Sequence, residues 1–129
     1  MNKKKKILVV EDDNVLRHRL IDVLNDQGFK TFEAADGEEG LALAQKEMPD
    51  LMLLDIVMPK MTGLSLLEKL RGDEKTKNIG AIFLTNLSDT QKIAEALEHK
   101  AFDYLIKSDW SLEDVVEKVK KQLGMTDAA

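Results

Sequence analysis

Five side chains in this sequence stand where they could do chemistry together: Glu11, Asp12, Asp55, Thr85 and Lys107. Each closes a short apolar run. Ile7–Val10 leads into Glu11, Asp12 and Asp13, Leu51–Leu54 into Asp55, Ala81–Leu84 into Thr85, and Asp103–Ile106 into Lys107. An isolated carboxylate inside a buried strand would be costly, because a charge taken out of water must be paired or neutralised. At the last residue of a strand the same group reaches the carboxyl edge, where open parallel sheets bind ligands. Neighbouring carboxylates there would repel one another, and a hard divalent cation relieves the repulsion. Mg2+ suits such donors, since it takes carboxylate oxygens, keeps several waters and shares its shell with a phosphate. A carboxylate nucleophile, Mg2+, a hydroxyl and an amine together describe a phosphoryl-transfer site, where positioning and charge neutralisation are most of the catalysis.

The elements that must deliver these groups are legible between them. After the first run, Leu16, Leu20, Val23 and Leu24 recur at helical spacing, Asp13 is placed as the N-cap, and Gly28 ends the helix. Lys30–Ala34 reads as a strand. Asp36 with Glu39 resembles a capping box for a helix bearing Leu41, Ala44 and Met48, which Pro49 stops. Thr62 can cap a helix carrying Leu64, Leu67 and Leu70, closed by Gly72, and the polar stretch from Asp73 to Asn78 is a loop. Ser88 with Gln91 begins a helix whose buried stripe includes Ile93, Ala96 and Leu97. Ser111 caps a last helix with Leu112, Val115, Val116, Val119 and Leu123 on one face. This alternation, β-α repeated five times, predicts an α/β fold. It is the flavodoxin-like doubly wound (βα)5 arrangement, a five-stranded parallel sheet in the order 2-1-3-4-5 with helices on both faces. In that order the first and third strands lie about 4.8 Å apart, which sets Asp12 beside Asp55.

Length and composition bound the rest. The 129 residues read as one domain, 1–129, with an ordered core over about 5–123 and short tails. A hydrophobic fraction of 43% with 33% charged residues is that of a globular chain rather than a disordered one. The net charge of −5 disfavours direct contact with nucleic acid, and the absence of cysteine excludes disulfides and thiolate chemistry. Lys3–Lys6 reads as a solvated tail, and the apolar run after it is too short for a signal core. No run approaches the ~20 residues of a membrane span, so the expectation is a cytoplasmic protein with no membrane contact. His18 and His99 read as surface residues, and Trp110 as packing near the fifth strand.

In order and spacing, LVVEDD, DIVMPKMTG, FLT and DYLIK resemble the four markers of the receiver domains of bacterial two-component response regulators, over essentially the whole chain. The resemblance implies that Asp55 is the phosphoacceptor, taking a phosphoryl group from a sensor histidine kinase or a small donor. It implies that Asp12 binds Mg2+ directly and Glu11 through water, with Asp55 and the backbone carbonyl of Val57 completing the protein ligands. Thr85 would hydrogen-bond one phosphoryl oxygen and Lys107 pair with another. Tyr104 matches the aromatic switch position whose rotamer follows Thr85. Output is expected as protein–protein contact through the helix predicted after strand 4, strand 5 and the last helix, by a monomer or a phosphorylation-dependent dimer. Such a chain catalyses only its own aspartyl phosphorylation and dephosphorylation and is not otherwise an enzyme. A phosphocarrier handing its group to a histidine phosphotransfer protein, and a receiver fragment of a larger DNA-binding regulator, are the alternatives. A Mg2+-dependent phosphatase is disfavoured, because such enzymes need an acid two residues after the nucleophile and Val57 stands there.

Three positions depart from the family pattern. The usual Lys-Pro pair is here Lys107-Ser108, and a cis bond without proline costs ~2.5–4 kcal/mol. Lys100 stands where glycine is common, and Gly80 where proline often precedes strand 4, which is expected to loosen that loop. Val57 and Leu87 stand two residues beyond Asp55 and Thr85, at positions that the resemblance implies flank the path of the hydrolytic water; both are apolar and can neither orient nor deprotonate a water, so slow autodephosphorylation is expected.

Overall fold

The computed structural model describes residues 4–56, 58, 60–85, 103–106 and 111–125. Each of the four apolar runs lies in a strand, and Lys30–Ala34 is a fifth: β1 (Lys6–Val10), β2 (Lys30–Ala34), β3 (Leu51–Asp55), β4 (Gly80–Thr85) and β5 (Asp103–Ile106). The described helices are α1 (Asn14–Asp26), α2 (Gly37–Glu47), α3 (Gly63–Arg71) and α4 (Leu112–Gln122). All four strand pairings are parallel and the order is β2-β1-β3-β4-β5, as the alternation predicts. The helix expected over Ser88–Leu97, together with Lys100 and His99, lies outside the described residues.

Why the three inner strands β1, β3 and β4 carry apolar runs is evident from their two faces. Successive side chains point to opposite sides. Leu8, Val10, Met52, Leu54, Ala81 and Phe83 pack on Ala44 of α2 and Leu66, Leu67 and Leu70 of α3. The alternate residues Ile7, Val9, Leu51, Leu53, Ile82 and Leu84 pack on Leu20 and Leu24 of α1 and Val115 and Val119 of α4. A sheet covered on both sides has no face for polar residues, so carboxylates are driven to its ends.

The helix ends follow the local chemistry. Asp13, Asp36, Thr62 and Ser111 are N-caps, and Ser111 makes a reciprocal capping box with Asp114. Gly28 follows α1 with φ +89, a conformation that glycine takes without steric cost. Two readings of the sequence need correction. Lys6 is not part of a solvated tail: its N–H donates to Asp50 and its ammonium to the Glu47 carbonyl, closing β1 against the end of α2. Gly80 is not a loop residue ahead of the fourth strand: it is the first residue of β4 and pairs with Leu51. Among the described residues no helix is long and apolar enough to cross a membrane.

Asp36 also carries a testable pH dependence. The Glu39 N–H holds its carboxyl below the ordinary aspartate range, desolvation pushes the other way, and Lys60, 3.6 Å off, adds to the lowering. A lowered folded-state value means stability that is present above the unfolded value and lost as pH falls through the folded one. Asp36→Asn keeps a capping oxygen but removes the charge. The wild-type advantage in urea midpoint over this variant should be full above about pH 5 and fade below about pH 4. A difference that stays constant from neutral pH into acid would refute the assignment.

Candidate functional site

The carboxyl ends of β1 and β3 meet. Val10 pairs with Leu54, so the next residues along, Glu11 and Asp55, leave the sheet side by side. Glu11, Asp12 and Asp55 each present a carboxylate oxygen, and these oxygens lie within 4.8 Å of one another. Glu11 is fully buried and Asp55 is 6% exposed, while Asp12 faces solvent. The buried Glu11 is tied into the turn, accepting the Asp13 N–H at 3.1 Å through one carboxylate oxygen. Asp13 faces the other way and accepts the Val15 and Leu16 N–H groups as the cap of α1. Its role is therefore the capping one that the sequence suggests.

Two oxygens opposed across one Mg2+ with bonds of about 2.1 Å stand about 4.2 Å apart. A trio spanning 4.8 Å is near that size, with room for one member to bind through water. An all-carboxylate donor set is also the chemistry that a hard cation prefers. The three acids fit a divalent cation.

Gly63 N–H donates to the Ile56 carbonyl at 2.8 Å, folding the chain back so that α3 starts directly over the end of β3. Lys60 takes a left-handed conformation, φ 69, within this turn and pairs with Asp36 at the start of α2. Met58 is buried.

Across the sheet, Asp55 pairs with Leu84, which sets the Thr85 backbone one residue beyond it at the end of β4. Thr85 in turn pairs with Ile106, and Tyr104 with Phe83. Val57, Leu87, Lys107, Ser108 and Trp110 lie outside the described residues. His18 is on the surface as expected, with its Nε2 3.5 Å from Glu33.

One residue near this site was not singled out by sequence pattern. Arg17 is 8% exposed and donates to the carbonyl of Glu11. Its signal was its position: three residues before Leu20 and seven before Leu24, it lies on the buried face of α1, where an arginine is out of place unless something binds it.

Residues 7–120 match the model of the response regulator receiver domain. The chain is 34% identical over 120 residues to sporulation initiation phosphotransferase F of Bacillus subtilis, covering 93% of this chain and 94% of that protein. It is also 34% identical over 122 residues to the DNA-binding dual master transcriptional regulator RpaA of Synechocystis, covering 95% of this chain but 50% of that protein. The chain thus spans about half the length of that relative and of the ycf27 regulators that it also matches. Among solved structures, a CheY-like receiver domain protein from Methanospirillum hungatei superposes with a TM-score of 0.87 at 30% identity, covering 95% of each chain. Sequence over most of the chain and fold over nearly all of it agree, and the chain belongs to the response regulator receiver domain family.

Proposed function

We propose that the chain is a phosphorylation-controlled switch in which Asp55 accepts a phosphoryl group from a sensor histidine kinase or a small phosphodonor. The observation that carries this is the convergence of Glu11, Asp12 and the buried-edge Asp55 within one cation-sized cluster. Receiver domains as a family are signalling switches, not classical enzymes, and work with histidine kinases and output partners. In the proposed step a carboxylate oxygen of Asp55 attacks phosphorus in line, the bond from phosphorus to the donor atom breaks, and the donor leaves with that electron pair. Asp12, Asp55, the Val57 carbonyl and, through water, Glu11 would hold Mg2+, which when bound supplies charge neutralisation for the phosphoryl oxygens. Thr85 and Lys107 would take the remaining oxygens by hydrogen bond and ion pair. Output through the segment after β4, β5 and α4, with Tyr104 following Thr85, is supported by register. Thr85 is hydrogen-bonded into the ladder with β5, which is the edge strand of the sheet.

A second reading has its own support. The Bacillus relative is named a phosphotransferase and is matched over 94% of its length, which favours an intermediate phosphocarrier. The half-length match to a DNA-binding regulator likewise favours a receiver that serves an attached output domain. Incubation with acetyl phosphate and Mg2+, followed by intact mass, tests the core of all three. One phosphoryl group should be gained with Mg2+ and none with EDTA; labelling that ignores EDTA would refute the cation-dependent site. Back-transfer from the labelled chain to a histidine phosphotransfer protein then separates carrier from switch.

A further inference from the structure

We infer that Arg17 is a positioning residue for the cation site, acting through the peptide that joins Glu11 to Asp12. This rests on the reading of Glu11, Asp12 and Asp55 as cation ligands.

The guanidinium makes three bonds at once. Its Nη1 donates to the Glu11 carbonyl at 2.9 Å, its Nε to the Glu33 carboxylate at 2.9 Å and its Nη2 to the Asn14 side-chain oxygen at 2.7 Å. Three acceptors, from the residue after β1, from β2 and from α1, are thus read by one rigid planar group, which a flexible ammonium could not match. The consequence falls on Glu11. Its N–H donates to the Ala34 carbonyl at 3.0 Å, so β2 holds one side of the residue and Arg17 the other. The Glu11 carbonyl belongs to the peptide plane that also carries the Asp12 nitrogen. Fixing that carbonyl therefore fixes the direction in which Asp12 leaves the strand. Asp12 is exposed, so the burial that holds Glu11 does little to orient it. Left to rotate, it would have to be ordered by the cation itself, and binding would weaken by that cost.

Charge argues in the opposite direction, and this makes the idea testable. A buried cation one residue from the site repels a second cation, so deleting Arg17 would tighten Mg2+ binding if charge alone mattered. A purely structural role would lower thermal stability and leave the affinity of the folded protein unchanged. The positioning role requires weaker binding despite the lost positive charge. Partners that orient metal ligands from behind typically change affinity by about 10–100-fold when removed.

The test is calorimetric titration of Mg2+ into the full chain and into Arg17→Met, Arg17→Lys and Glu33→Ala, at a temperature where circular dichroism shows each to be folded. Arg17→Met is expected to bind Mg2+ at least about tenfold more weakly, with Arg17→Lys only partly restoring affinity. Glu33→Ala, which removes the outer anchor from a half-exposed position, should weaken binding in the same direction but less, and it decides the matter if the Arg17 variants do not fold. Equal or tighter binding by the folded variants overturns this inference alone. A wild-type chain that takes up no Mg2+ overturns it together with the reading on which it rests.

Discussion

Asp55→Asn should take up no phosphoryl group from acetyl phosphate in Mg2+, under conditions where the wild-type chain gains one. The amide has no anionic oxygen to attack phosphorus, yet it has nearly the same size, so the buried end of β3 is not reshaped. The same substitution removes one of three clustered carboxylates. It should therefore also diminish the thermal stabilisation that Mg2+ gives. A ligand at a hundredfold over its Kd stabilises a folded protein by about 2.7 kcal/mol, which is a shift of several degrees in Tm for a chain of this size. Wild type should show that shift and Asp55→Asn a clearly smaller one. Equal labelling of both proteins would sink the assignment of the nucleophile. Labelling lost with the Mg2+ shift fully retained would show that Asp55 accepts the phosphoryl group without helping to hold the cation.

What could be read from the sequence was governed by how local the cause is. Strand ends are local. An apolar run followed by an acid or a hydroxyl is visible in a handful of residues, and the fold rule that sets β1 beside β3 converts Glu11, Asp12 and Asp55 into neighbours. Caps are local too, and Asp13, Asp36, Thr62 and Ser111 all serve as expected. The roles of Lys6 and Arg17 are not legible in the sequence because their partners are remote or backbone groups. Lys6 meets Glu47 and Asp50 more than forty residues away, and Arg17 meets a carbonyl, which no side-chain pattern reveals. Gly80 reads as loop because a glycine breaks the apolar run, and only the register with Leu51 shows it to be the first residue of β4. In each case the sequence shows the residue but not the acceptor.

Gly63→Ala should damage both stability and phosphorylation, whereas Gly72→Ala, at the other end of the same helix, should do neither. A Cβ on Gly63 would collide with the Asp55 carbonyl oxygen and stand 3.0 Å from its carbonyl carbon, with the Phe83 ring at 3.1 Å. Backbone cannot swing aside as a side-chain tip can, so either α3 lifts or the end of β3 is pushed. Both movements strain the Gly63 N–H bond to Ile56 and displace the residue that carries the proposed nucleophile. Overpacking of this kind typically costs about 1–3 kcal/mol. A displacement of about 1 Å at a reacting group can cost about a hundredfold in rate. Gly72 is different: its φ of −83 suits any residue and a Cβ there meets nothing closer than 3.6 Å. Alanine at such a position stabilises by about 0.4–1 kcal/mol through the unfolded chain. Thermal melts of the two variants, with the initial rate of labelling by acetyl phosphate, make the comparison. If Gly63→Ala keeps wild-type Tm and rate, the end of β3 is more yielding than its packing implies. If it lowers Tm and keeps the rate, the nucleophile does not depend on the position of that backbone. The expected result is the loss of both, because the glycine that lets α3 sit on β3 is also what holds Asp55 at the edge of the sheet.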